Sequence, residues 1–130
     1  MAGLGYQYVF NTGLLIGAAA GSGATPPTYS QFGHDILYLN PSDWGAGSPS
    51  VYLEVIWKTS ASTGYARLYN STTAGAIGSA ITTTSTSVER TRSSALTLTA
   101  SDNEYIVQFG AVTGTATVTM YSAKLIIDAS

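Results

Sequence analysis

A single histidine stands in the chain, and an acid follows it: His34-Asp35. Among so many serines the pair raises the question of a Ser-His-Asp relay. Neighbours on a strand face opposite ways, so Asp35 could not orient His34, and no G-x-S-x-G elbow is written. His34 therefore reads as a hydrogen-bonded loop or interface residue. Glycoside hydrolysis would need two acids across a cleft, roughly 5 to 10 Å apart. Glu54 is the only acid inside a well-marked strand, and no second acid accompanies it two residues away. Asp35, Asp43, Glu89, Asp102, Glu104 and Asp128 fall at expected strand ends or turns. The expectation is a protein that is not an enzyme, with no catalytic residues and no cofactor. Cysteine is absent, which removes thiolate sites and disulfides; one histidine removes a multi-histidine metal site. Asp102-Asn103-Glu104, joined in space by Asp43 or Asp128, is the one oxygen-rich turn that suits calcium. It lacks the D-x-D-x-D-G spacing, so ordinary turn chemistry is the preferred reading and no metal is expected.

Aromatic side chains offer a second kind of chemistry, stacking on sugar rings. Trp44 sits in a Gly/Pro-rich loop, and Tyr52, Tyr65 and Tyr69 are expected to share a sheet face. The competing reading packs these tyrosines against a loop or a neighbouring subunit with the hydroxyl outward. Charge is scarce: five Lys+Arg and seven Asp+Glu make up 9% of the chain, where about a quarter is usual. Lys58, Lys124, Arg67, Arg90 and Arg92 are too few for a nucleic-acid footprint. Arg90 and Arg92 share a face of one strand, where they can pair with Glu54, pair with a carboxylate of another subunit, or guard a sheet edge.

The elements that must position these residues are strands. Thr, Ser, Ala and Gly make up half of the 130 residues, and nine Tyr, three Phe and two Trp supply a core. Thr and aromatics favour strands, and Gly favours turns. One domain is the expectation at this length. Residues 4–10 alternate Tyr6, Tyr8 and Phe10 with Gly5, Gln7 and Val9. Residues 13–29 read as a loop ending in Pro26-Pro27, which no central strand admits. A short strand at 35–39 precedes a turn-rich stretch at 40–49. In 51–58, Val51, Leu53, Val55 and Trp57 oppose Tyr52, Glu54, Ile56 and Lys58, the period of two of a half-buried strand. Further strands are expected at 64–70, 76–82, 87–92, 95–99, 105–110 and 115–128, with turns at 100–104 and 111–114. No useful helical period occurs. The fold class is all-β: an antiparallel two-sheet β-sandwich, jelly-roll-like, of about eight strands. Residues 1–29 are an N-terminal arm or edge strand, and 30–130 are the sandwich. An exposed strand bearing Tyr6, Tyr8 and Phe10 should pair with a sheet edge, its own or a neighbour's, so these three are the candidate assembly residues.

Residues 65–72 (Tyr-Ala-Arg-Leu-Tyr-Asn-Ser-Thr), then Gly78-Ser79, residues 84–87 and Arg90-Thr91-Arg92-Ser93, carry a resemblance. The stretch 51–128 resembles the jelly-roll module of tailed-bacteriophage virion accessory proteins, in decoration or tail roles, and of bacterial surface carbohydrate-binding modules. The motifs are structural and bring no catalytic residues. The resemblance implies a virion structural protein that works by assembly with itself, as a trimer or ring, and with another virion protein such as a major capsid protein. The alternative is a carbohydrate-binding module using Trp44, Tyr52, Tyr65 and Tyr69. Neither nucleic acid nor membrane is an expected partner. Residues 9–23 combine an apolar run with small residues, but no Lys or Arg precedes Lys58 and the run is too short and glycine-broken to span a bilayer. The expected setting is the virion, after synthesis in a host cytoplasm without a secretion signal.

Overall fold

The computed structural model of the chain describes residues 5–9, 17–20, 27, 29–32, 36–44, 50–112 and 115–128, with only the backbone described for 5–9, 17–20 and 44. The strands are β1 (Gly5–Val9), β2 (Gly17–Ala20), β3 (Ser30–Gln31), β4 (Leu37–Leu39), β5 (Ser50–Thr59), β6 (Gly64–Asn70), β7 (Gly75–Thr83), β8 (Glu89–Arg92), β9 (Asn103–Ala111) and β10 (Thr117–Asp128). A 3₁₀ turn, Pro41–Trp44, follows β4. Among the described residues no helix is long and apolar enough to cross a membrane.

The strands form two antiparallel sheets. The first runs β1-β10-β5-β8, with β2 also on β10; the second runs β3-β9-β6-β7, with β4 also on β9. The short strands come in pairs, each pair lying along one partner strand, and each pair is counted here as one strand. β1 lies along residues 124–128 of β10 and β2 along 117–120, both antiparallel to it. β3 and β4 lie in the same way along β9, and a hydrogen bond from Phe32 N–H to Val107 O at 2.8 Å extends the β3 ladder by one step. Counted so, eight strands remain. Their pairings are nested: β1/β2 with β10, β3/β4 with β9, β5 with β8, β6 with β7. One long hairpin, tipped by the turn after Asn70, is rolled until β10 meets β5 and β9 meets β6. That is a jelly roll, as the alternating sequence suggested.

Packing follows the strand period. Val51, Leu53, Val55 and Trp57 of β5 are buried, and they face Ala66 and Leu68 of β6, Tyr105, Val107 and Phe109 of β9, and the inner row of β10. The Trp57 indole N–H donates to Thr91 Oγ1 at 2.9 Å, so the largest buried side chain leaves no polar atom unpartnered. β10 changes phase along its length: Val118 and Met120 are buried, then Ala123, Leu125 and Ile127. The register against β5 slips between Met120 and Ser122, one extra residue on β10. This bulge turns the odd-numbered side chains inward for the remainder of the strand.

Three expectations need correction. Residues 13–29 are not all loop, since Gly17–Ala20 pairs with Thr117–Met120; a Gly-Ala run has little strand preference of its own, and β10 imposes the ladder. Gly5–Val9, expected as an arm or an edge strand, pairs with its own chain's β10 at the edge of the first sheet. Residues 95–99 make only one bridge, Leu96 to Val51, because the chain turns away after Ser93; Leu98 is a buried plug, and the Leu-x-Leu alternation records that plug and no ladder. The turn expected at 100–104 ends early: Asn103 and Glu104 already pair with Leu39 and Tyr38.

Candidate binding faces

The two outer sheet faces carry most of the polar and aromatic residues that the sequence singled out. On the second sheet, β6 turns Tyr65, Arg67 and Tyr69 away from the core, while Gly64, Ala66, Leu68 and Asn70 point in. The Arg67 guanidinium lies 3.9 Å from the centre of the Tyr29 ring and 5.3 Å from that of Tyr69, and its Nε donates to Gln108 Oε1 at 2.8 Å. Gln108 stands opposite Arg67 on β9, and Ile106 stands opposite Tyr69. Stacking and one hydrogen bond thus fix the guanidinium within an aromatic face. Burial pushes the Tyr29 hydroxyl pKa up; Arg67 pulls it down in part, and Tyr65 adds to the rise. Tyr29 is a member that the sequence reading missed. It follows the prolines outside any alternating run, and only the return of β3 onto β9 brings it over Arg67.

At one end of the same sheet, Tyr38 is 73% exposed and donates to Glu104 Oε1 at 2.6 Å, which raises the phenol pKa. Asn40 Nδ2 donates to Asp102 Oδ1 at 3.1 Å, and the Asn103 side chain donates to Ser101. Of the oxygens considered for calcium, one of Asp102 and one of Glu104 are thus engaged, in separate contacts. Among the described residues no group of three His, Cys, Asp or Glu side chains is placed to hold a metal ion.

On the first sheet the outer row of β5 holds Tyr52, Glu54, Ile56 and Lys58. Glu54 stands opposite Arg92 on β8 and opposite Lys124 on β10. Arg92 donates from Nε and Nη2 to Glu54 Oε2, at 3.1 and 3.0 Å. Arg90 Nε and Lys124 Nζ lie 3.4 and 3.5 Å from Oε1. The cross-strand pair with Glu54 is therefore formed, on a residue only 4% exposed. Burial alone drives the Glu54 carboxyl pKa up. The Arg92 hydrogen bond and the charges of Lys124, Arg92 and Arg90 outweigh it and hold the group below its ordinary value.

Tyr52 stands on this face, with Arg92 over its ring at 5.5 Å, whereas Tyr65 and Tyr69 belong to the other sheet. The single aromatic face expected of the three is split, since β5 and β6 lie in different sheets. The side chains of Trp44, Tyr6 and Tyr8, and the whole of Phe10, His34 and Asp35, lie outside the described residues. By register Tyr6 stands opposite Ile127 and Tyr8 opposite Leu125.

Between the edge strands a cleft of about 300 Å³ is lined by Gly78, Ser79, Ile81, Ser93, Ser94 and Leu96. A bulge in β7 shapes it: Gly78 takes φ +68°, and a Cβ there would stand 2.7 Å from Leu96 Cδ2. Comparison with protein-family models and with curated proteins finds no match to this chain.

Proposed function

We infer that the chain is a non-enzymatic structural subunit of a virion, a capsid decoration or tail accessory protein that acts by assembling with copies of itself and with a larger virion protein. The observation that supports it is the outer face of the second sheet, where the rings of Tyr29 and Tyr69 flank one fixed guanidinium and Tyr65 and Ile106 share the face. Tyr and Arg are the residues that protein interfaces enrich, and Arg67 is already ordered by its stacking and by Gln108. Packing a second subunit there desolvates one cation and many ring carbons. Closed symmetry, a trimer or ring, is the usual outcome for identical subunits.

Light scattering at micromolar concentration tests this, with Tyr69→Lys as the comparison. A mass of several subunits that falls in the variant, with the circular dichroism spectrum unchanged, supports the reading. Capsid, portal and terminase genes beside the coding sequence would support the virion setting. The alternative is a carbohydrate-binding module, favoured by the same tyrosine rings. A strictly monomeric protein whose neutral-glycan binding disappears in Tyr69→Lys would replace assembly with that reading.

A further inference from the structure

Four of the five Lys and Arg residues fall on one face of one sheet. Lys58 and Lys124 are on the outer rows of β5 and β10, and Arg90 and Arg92 are on β8. At its centre three cations meet the single carboxylate of Glu54, so two positive charges are left over, in a molecule whose formal charge is −2. The surplus is accessible: the side chains of Arg90 and Arg92 are 66% and 51% exposed, while the carboxylate beneath them is 5% exposed.

We propose that this face is a binding site for a carboxylate-bearing polysaccharide, a polyuronate, with Arg90 and Arg92 taking the carboxylate and Tyr52 the face of the sugar ring. Arg92 uses Nε and Nη2 on Glu54, which leaves Nη1 and the outer Nη2 hydrogen for a planar acceptor. Glu54 holds the guanidinium in place before any ligand arrives, so little side-chain freedom is lost on binding. Arg90 and Arg92 are two residues apart on one strand, about 7 Å, and Lys124 is two strands from Arg92, about 10 Å. Charges laid out at such intervals on a flat face suit a repeating polyanion better than one small ion. Tyr52, beside Arg92 and half buried, adds the ring surface that a sugar acid needs and an inorganic anion does not. The proposal is independent of the assembly reading, which uses the other sheet.

The test is binding of polygalacturonate at low salt, measured by calorimetry on the full chain, with dextran and dextran sulfate as comparison polymers. Arg90→Gln, Arg92→Gln and Tyr52→Ala are the variants. Arg90 is the more exposed and more loosely held partner, so Arg90→Gln keeps the test informative should Arg92→Gln lose its fold. The expected result is binding of polygalacturonate, weakened by salt, reduced at least tenfold in Arg90→Gln and in Tyr52→Ala, and absent with dextran. No binding, binding that Arg90→Gln leaves unchanged, or binding of dextran sulfate without polygalacturonate would overturn the proposal. Salt-reversible self-association abolished by Arg90→Gln would overturn it too, by making a second copy the occupant.

Discussion

Glu54 stands on the outer face of its strand and is nonetheless buried, because Arg92 and Lys124 arch over it from both neighbouring strands. A buried carboxylate tolerates that position only with its partners in place. Glu54→Gln leaves Arg92, Arg90 and Lys124 clustered without their anion and should cost about 2 kcal/mol, less than a fully buried pair because the guanidiniums reach water. Urea denaturation at pH 7 measures it. The pH dependence has a definite sign. The folded-state pKa lies below the ordinary value, so the contribution is complete above about pH 4.5 and is lost as pH falls through the depressed value. The gap between wild type and Glu54→Gln should therefore narrow on acidification below pH 4.5; a constant gap would contradict the ion-pair account. Asn70 is the second residue with a defined task. Its Oδ1 accepts from the N–H groups of Thr72 and Thr73 at 2.9 and 3.1 Å, pinning the turn at the hairpin tip. Asn70→Ala should lower stability by about 1 to 2 kcal/mol by the same measurement.

The elements show what alternation can and cannot carry. β5 and β6 were legible to the residue, since Val-x-Leu-x-Val-x-Trp and Ala-x-Leu have one face each and that face is buried. β10 was legible as a strand but not as a face, because the bulge between Met120 and Ser122 reverses the inward set in mid-strand. Glu54 stood out as the one acid in a clear strand, and its pairing with Arg92 was an open alternative that required the β5-β8 register to close. Tyr29 carried no signal, since a stacked partner outside a strand depends on tertiary return alone. At the turn of residues 71–74, Ala74 takes φ +56°, where an L side chain costs about 1 kcal/mol. Ala74→Gly should raise the thermal midpoint by a few degrees despite the flexibility it adds to the unfolded chain. At Gly64 the opposite holds. An added Cβ would stand 2.7 Å from Val118 Cγ2, where β6 crosses close to β10, so Gly64→Ala should lower the midpoint. A midpoint unchanged in both would show that these strands have room to shift.

For the whole molecule, the nested pairing makes the first strand depend on the last. β1 and β2 cover one edge of β10 along nine positions, so deletion of residues 2–28 exposes that ladder beside the apolar core. The truncated chain should lose its cooperative thermal transition or aggregate; a monomer that melts as cooperatively as the intact chain would show that the edge is dispensable. The same nesting orders events in time. Gly5 stands opposite Asp128, so almost the full length of the chain separates the two partners. Contacts so distant in sequence form slowly, and they cannot form on a ribosome before both partners have emerged. Gly5–Val9 must therefore wait for its partner until the twelve residues of β10 clear the exit, so synthesis of β10 is what allows the edge of the first sheet to be covered.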